Sequence, residues 1–110
     1  MELNEYQEHA SITATFEDLP VDPLLYVTLG LTGEAGEVAE KVKKVLRNDH
    51  GEMSDDKKEA IKYELGDVLW YISQTARILG YSLEEVAQGN IDKLADRKKR
   101  GVIASEGDNR

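Results

Sequence analysis

Four acidic side chains carry the strongest chemical signal in this sequence: Glu34 with Glu37, and Glu64 with Asp67, each pair spaced i, i+3. On a helix that spacing puts both side chains on one face, roughly 5–6 Å apart at Cβ. Carboxylates held so close repel one another unless a proton or cation neutralises them, and hard divalent cations take oxygen ligands of this kind. Mg²⁺ is the ion such a set predicts, with Mn²⁺ a workable substitute. In a chain with 22 acidic residues a lone ExxE reads as a solvated helix face. Two matched pairs ask for more, namely that the elements bearing them bring them together.

The flanking residues predict that they do. Leu31, Ala35, Val38, Val42 and Val45 recur at steps of four and three, as do Ile61, Leu65, Val68, Ile72, Ala76 and Leu79, each set forming the seam of a packed helix. The acids stand one residue before seam members, a rotation of about 100° in the same sense on both helices. A short loop around Gly51 makes the helices antiparallel, and equal rotations away from a shared interface then point to the same side. The two pairs are also symmetric about that loop, so they stand level. All four carboxylates are expected to converge.

The rest of the pattern is all-α, with apolar residues at helical spacing and only two prolines, both near residue 20. Leu3, Tyr6 and Ala10 begin a first helix expected to end near Phe16. Asp22-Pro23 is a cap and first turn, and the second helix runs from there to about Arg47. Asn48 to Ser54 is a loop. Ser54-Asp55-Asp56 opens the third helix, which stops at Gly80, and Ser82-Leu83-Glu84-Glu85 is a capping box for a fourth that fades near Arg100-Gly101. At 110 residues the chain has room for one core, so a single domain over 1–110 is expected, a small four-helix bundle with a flexible tail from about residue 101.

Composition removes several alternatives. Without cysteine there is no disulfide, thiolate zinc site or cysteine nucleophile. Any metal is held by oxygen or by His9 and His50, which share no ligand spacing with each other or the acids and read as surface residues. A formal net charge of -8 opposes docking on a nucleic acid polymer or an anionic membrane, so a phosphorylated ligand would need a metal ion as intermediary. The opening MELNEYQEHA is polar where a signal peptide is apolar, and the most apolar region, residues 19 to 31, is interrupted by Asp22 and Pro23. A soluble cytoplasmic protein is expected.

GEAGEVAEKVKK, residues 33 to 44, and ELGDVLWY, residues 64 to 71, resemble the ExxE…ExxD pattern of the MazG-like nucleotide pyrophosphohydrolases, in the all-α NTP pyrophosphatase superfamily. LNEYQEHA, NIDKLADRKKRG and the closing EGDNR are similar to its short branch. The resemblance implies Mg²⁺-dependent hydrolysis of a nucleoside triphosphate between the α and β phosphates, giving a monophosphate and pyrophosphate, by a homodimer or homotetramer. It makes Glu34, Glu37, Glu64 and Asp67 the metal and catalytic residues, with Glu37 the first candidate for general base. Two long helices exposing a continuous seam also suggest an obligate dimer. A phosphoribosyl-ATP pyrophosphohydrolase from the same superfamily, and a non-catalytic helical interaction module whose acids merely solvate its surface, are the rivals.

Further residues have two readings each. Lys41 and Lys44 continue the acidic stripe and would either contact outer phosphates or pair with nearby acids, with adjacent Lys43 competing for the role of Lys44. Asn90, Lys93 and Arg97 share a face that is similar to the family's nucleotide-binding segment, or is a solvated basic face. Trp70 and Tyr71 follow Asp67 by three and four residues, where they would stack on a base or fill the core. Arg110 would close over phosphate in an oligomer or lie in a disordered terminus. Gly30, Gly33, Gly36 and Gly66 each cost about 1 kcal/mol inside a helix relative to alanine. Either close packing compensates, or Gly33, Gly36 and Gly66 leave room for metal and phosphate.

Overall fold

The computed structural model describes residues 1–108 and 110. Four α-helices form, α1 (Leu3–Ser11), α2 (Pro23–Asn48), α3 (Asp55–Ile78) and α4 (Leu83–Lys99), with a short 3-10 turn (Thr15–Asp18) between α1 and α2. No strand occurs among the described residues, as the helical periodicity predicted. The local signals act as read: Asp22 accepts from Leu24 N–H at 2.9 Å ahead of Pro23. Ser54 caps α3 through Lys57 N–H. Ser82 and Glu85 close a reciprocal capping box on α4. His50 and Gly51, with φ of 53° and 80°, turn the chain between α2 and α3.

The first helix is shorter than expected. It stops at Ser11, and the chain tightens into the 3-10 turn that buries Phe16. Leu19 and Val21, in the connector that follows, stay exposed.

α2 and α3 form a long antiparallel hairpin, and α1 lies across α3 and α4. Among the described residues α2 packs against α3 and the 3-10 turn but reaches neither α1 nor α4. The bundle is therefore open along one side of α2. Its radius of gyration, 16.9 Å, exceeds the roughly 13 Å of a compact chain of this length.

The predicted seams are only partly the interior. Val27, Leu31, Val38 and Val45 turn toward α3, together with half-buried Glu34 and Lys41. Ala35 and Val42 of the expected α2 seam, and Leu65 and Leu79 of the α3 seam, are exposed instead. α2 is apolar on two sides, so its contact with α3 rotates toward the acid stripe and leaves the other side uncovered.

Polar groups hold α1 in place. The buried Gln7 side chain donates to the carbonyls of Ser73 and Tyr81, both at 3.0 Å, and accepts from Leu83 N–H at 3.0 Å. Asn4 accepts from Glu84 N–H. α1 thereby satisfies two of the N–H groups that the start of α4 cannot pair within itself. Fully buried Gln74 donates to Ser73 Oγ and accepts from Arg77, which pairs with Glu17 in the 3-10 turn.

Candidate active site

Carboxylate oxygens of Glu34, Glu64 and Asp67 lie within 4.8 Å of one another at the edge of the α2–α3 interface. A cation bonded to oxygen at about 2.1–2.6 Å can therefore touch all three. The donor set is all hard oxygen, with no imidazole nearby: His9 and His50 are exposed elsewhere. Burial, and then the charges of Asp67, Glu64 and Glu37, push the Glu34 carboxyl above the usual glutamate range. That repulsion is what a bound divalent cation would relieve, so the residues fit the ion.

Glu37 is the exception among the four. It stands one turn along α2 from Glu34, close enough to raise it, yet it is exposed and outside the convergent trio. Lys41 instead reaches Glu64 across the hairpin, at 3.3 Å. Of the four acids expected to converge, three do so and Glu37 stays free of the cluster.

On the side toward the start of α2, a cleft of about 350 Å³ opens beside Glu34 and Asp67, lined by Thr13, Thr15, Phe16, Tyr26, Trp70 and Tyr71. Phe16 and Tyr26 stack at 5.0 Å between centroids, and Trp70 meets both Phe16 and Tyr71 edge to face. The Trp70 indole N–H donates to Ala10 C=O and Thr13 Oγ1, which fixes the ring between α1 and the cleft. Burial, the neighbouring Tyr26 and the charges of Glu34 and Asp67 raise the Tyr71 hydroxyl. Burial and Asp67 raise that of Tyr6.

Trp70 is thus half-buried and anchored, and it also lines the cleft. Phe16 and Tyr26 were not among the candidates read from sequence. Tyr26, Gly30 and Glu34 at i, i+4, i+8 were a signal for one of them. Phe16 depends on the 3-10 turn, which apolar periodicity does not show.

On the opposite side, toward the hairpin turn, Lys41, Lys44 and Lys57 with Ala60 and Ile61 line a concavity of about 170 Å³. Lys44 is exposed and pairs with Glu40 at 3.7 Å; Lys43 pairs with the same acid. The α4 candidates stand elsewhere. Asn90 and Lys93 are exposed, and Arg97 is buried and donates to Asp108 C=O at 2.9 Å. None lines the cleft beside the acids. Arg110 turns back on its own segment, donating to the carbonyls of Val102, Ile103 and Gly107.

The glycines divide. Gly30 is close packing, since a Cβ there would collide with the Tyr71 ring. Gly33, Gly36 and Gly66 face open space within the chain, where a Cβ would meet nothing.

The MazG nucleotide pyrophosphohydrolase domain matches residues 24–102, which include all four acids, α3 and all of α2 but its first residue. Over its whole length the chain is also similar to the Gene 37 protein of Mycobacterium phage L5, at 46% identity and with the whole of that protein covered. No solved structure matches it.

Proposed function

Since this chain belongs to the MazG nucleotide pyrophosphohydrolase family, we propose that it is an Mg²⁺-dependent enzyme hydrolysing a ribo- or deoxyribonucleoside triphosphate between the α and β phosphates. The observation that carries this reading is the convergence of Glu34, Glu64 and Asp67 beside an aromatic cleft. Bound by those three carboxylates, Mg²⁺ (or Mn²⁺) would neutralise phosphate oxygens and polarise the phosphorus toward attack.

Each remaining part falls to a side chain. Tyr26, Trp70 and Tyr71 offer ring faces and edges on which a base can stack. Glu37, free of the trio, orients the attacking water and takes its proton. The water oxygen bonds to the α phosphorus as the bridging oxygen leaves with pyrophosphate. Lys41, already drawn to an anion at Glu64, holds phosphate oxygens on the leaving side.

The same reading includes a homodimer or homotetramer in the cytoplasm. Leu25, Leu29, Val42 and Leu46 of α2, with Leu65 and Leu69 of α3, form exposed apolar surface that a second copy would cover. The described helices include none long and apolar enough to cross a membrane.

The test is pyrophosphate release, with and without Mg²⁺, across canonical and modified nucleotides and phosphoribosyl-ATP, repeated with Glu64→Gln. Metal-dependent release that Glu64→Gln abolishes is the expected result. Silence across the whole panel would overturn the reading, and release from phosphoribosyl-ATP alone would replace it with the narrower activity.

A further inference from the structure

The α2–α3 hairpin sets its side chains in level rungs, and their chemistry changes in one direction. Farthest from the turn, Tyr71 faces Gly30; next come Glu34, Asp67 and Glu64; then Lys41, paired with Glu64; and nearest the turn, Lys57 with Lys44. Lys57, Glu64 and Tyr71 are seven residues apart, so they occupy one stripe of α3, about 10 Å apart along its axis. The three lysines line a concavity with Ala60 and Ile61, and Lys41 links it to the acids through its ion pair with Glu64.

From this order we infer that Lys57, with Lys41 and Lys44, forms the subsite for the leaving pyrophosphate, and that the nucleotide lies with its base away from the hairpin turn and its terminal phosphate toward it. The inference rests on the hydrolysis proposed above and adds a direction and a residue to it. A chain of net charge -8 opposes phosphate almost everywhere, and here three ammonium groups from two helices line one small hollow next to the convergent acids. Each is held by a single carboxylate, Lys41 by Glu64, Lys44 by Glu40 and Lys57 by Asp49 at 3.5 Å. The exposed Lys44–Glu40 pair contributes little, so a multiply charged phosphate displaces that carboxylate at small cost. Asp49 Oδ2 is buried without a hydrogen bond, and Lys57 bridges it to the phosphate instead of leaving it.

Calorimetric titration of the full-length protein with inorganic pyrophosphate and Mg²⁺ tests this without depending on turnover. Lys57→Gln is expected to weaken pyrophosphate binding about tenfold, the loss of one charge-assisted contact. Lys57→Arg should keep it, and Asp49→Asn, which frees the lysine, should keep or tighten it. Nucleoside monophosphate should bind Lys57→Gln as it binds the unaltered protein. Unchanged pyrophosphate binding in a folded Lys57→Gln protein would overturn the inference even if the enzyme is active. So would equal weakening by Asp49→Asn, which would assign the effect to the hairpin turn. An inactive protein whose pyrophosphate binding still follows Lys57 would overturn the hydrolysis and keep the subsite.

Discussion

The ring of Tyr71 occupies the space that a side chain on Gly30 would need. The glycine lies midway between Tyr26 and Glu34 on one face of α2, so the contact sets the Tyr71 ring against both the aromatic cleft and the acids. Gly30→Ala should therefore act against its own helix propensity. Alanine gains about 1 kcal/mol in a helix, but the clash with an aromatic ring on a neighbouring helix costs about 1–3 kcal/mol. The expected outcome is a lower melting temperature and a raised KM for nucleotide. Gly33→Ala, which meets open space within the chain, should stabilise the isolated protomer. Thermal denaturation and steady-state kinetics of the pair check this.

The acids should separate into two kinds of loss. Glu34→Gln, Glu64→Gln and Asp67→Asn each neutralise one of three convergent carboxylates and should weaken Mn²⁺ binding together with turnover. Glu37→Gln should leave metal binding close to normal and lower kcat by about 10²–10⁴, the usual range for a lost general base. Mn²⁺ titration followed by electron paramagnetic resonance, set beside kcat, reads both. Equal loss of metal by all four variants would return Glu37 to the ligand set.

Glu34 gives the metal-free protein a pH dependence of definite sign. Burial and the charges of Asp67, Glu64 and Glu37 raise its folded pKa, so the folded state keeps a proton that the unfolded chain has released. Between the ordinary glutamate value and the raised one, stability contributed at this site falls as pH rises. Mg²⁺ binds the ionised form, so the stabilisation it confers should grow over the same interval. Melting curves with Mg²⁺ and with a chelator should diverge as pH increases, and Glu34→Gln should remove most of the divergence.

What could be read in advance depended on whether one helix or several carried the signal. Caps at Asp22, Ser54 and Ser82 are local, and they place three helix starts correctly. The hairpin register is nearly local too, because one short turn fixes which residues of α2 and α3 stand level. The approach of Glu34 to Glu64 and Asp67 follows from it. The cleft is different: Phe16, Tyr26 and Trp70 come from three elements, and they meet only because the chain after Ser11 tightens into a 3-10 turn. The exposure of Ala35 and Leu65 was hidden for another reason. Apolar spacing shows that a face is buried against something, but α2 has two such faces and α3 covers one.

That uncovered face supports the last prediction. Leu25, Leu29 and Gly36 lie on the side of α2 opposite Val27, Val38 and Val45, with Ala39, Leu46 and Val42 on the flank between, and all six are exposed in the single chain. Leu29 is 64% exposed, Leu46 66% and Leu65 53%, values at which leucine contributes little to the core of its own protomer. Covering an apolar side chain stabilises by about 1.5–3 kcal/mol, so several leucines buried together can outweigh the cost of association. Gly36 and Ala39, small and also exposed, would let a second helix approach closely. Sedimentation should show a dimer or tetramer. Leu29→Glu should shift it toward monomer and lower the melting temperature, because a charge on that face cannot be buried unpaired. A monomeric, fully stable wild-type chain would show instead that the open bundle stands alone.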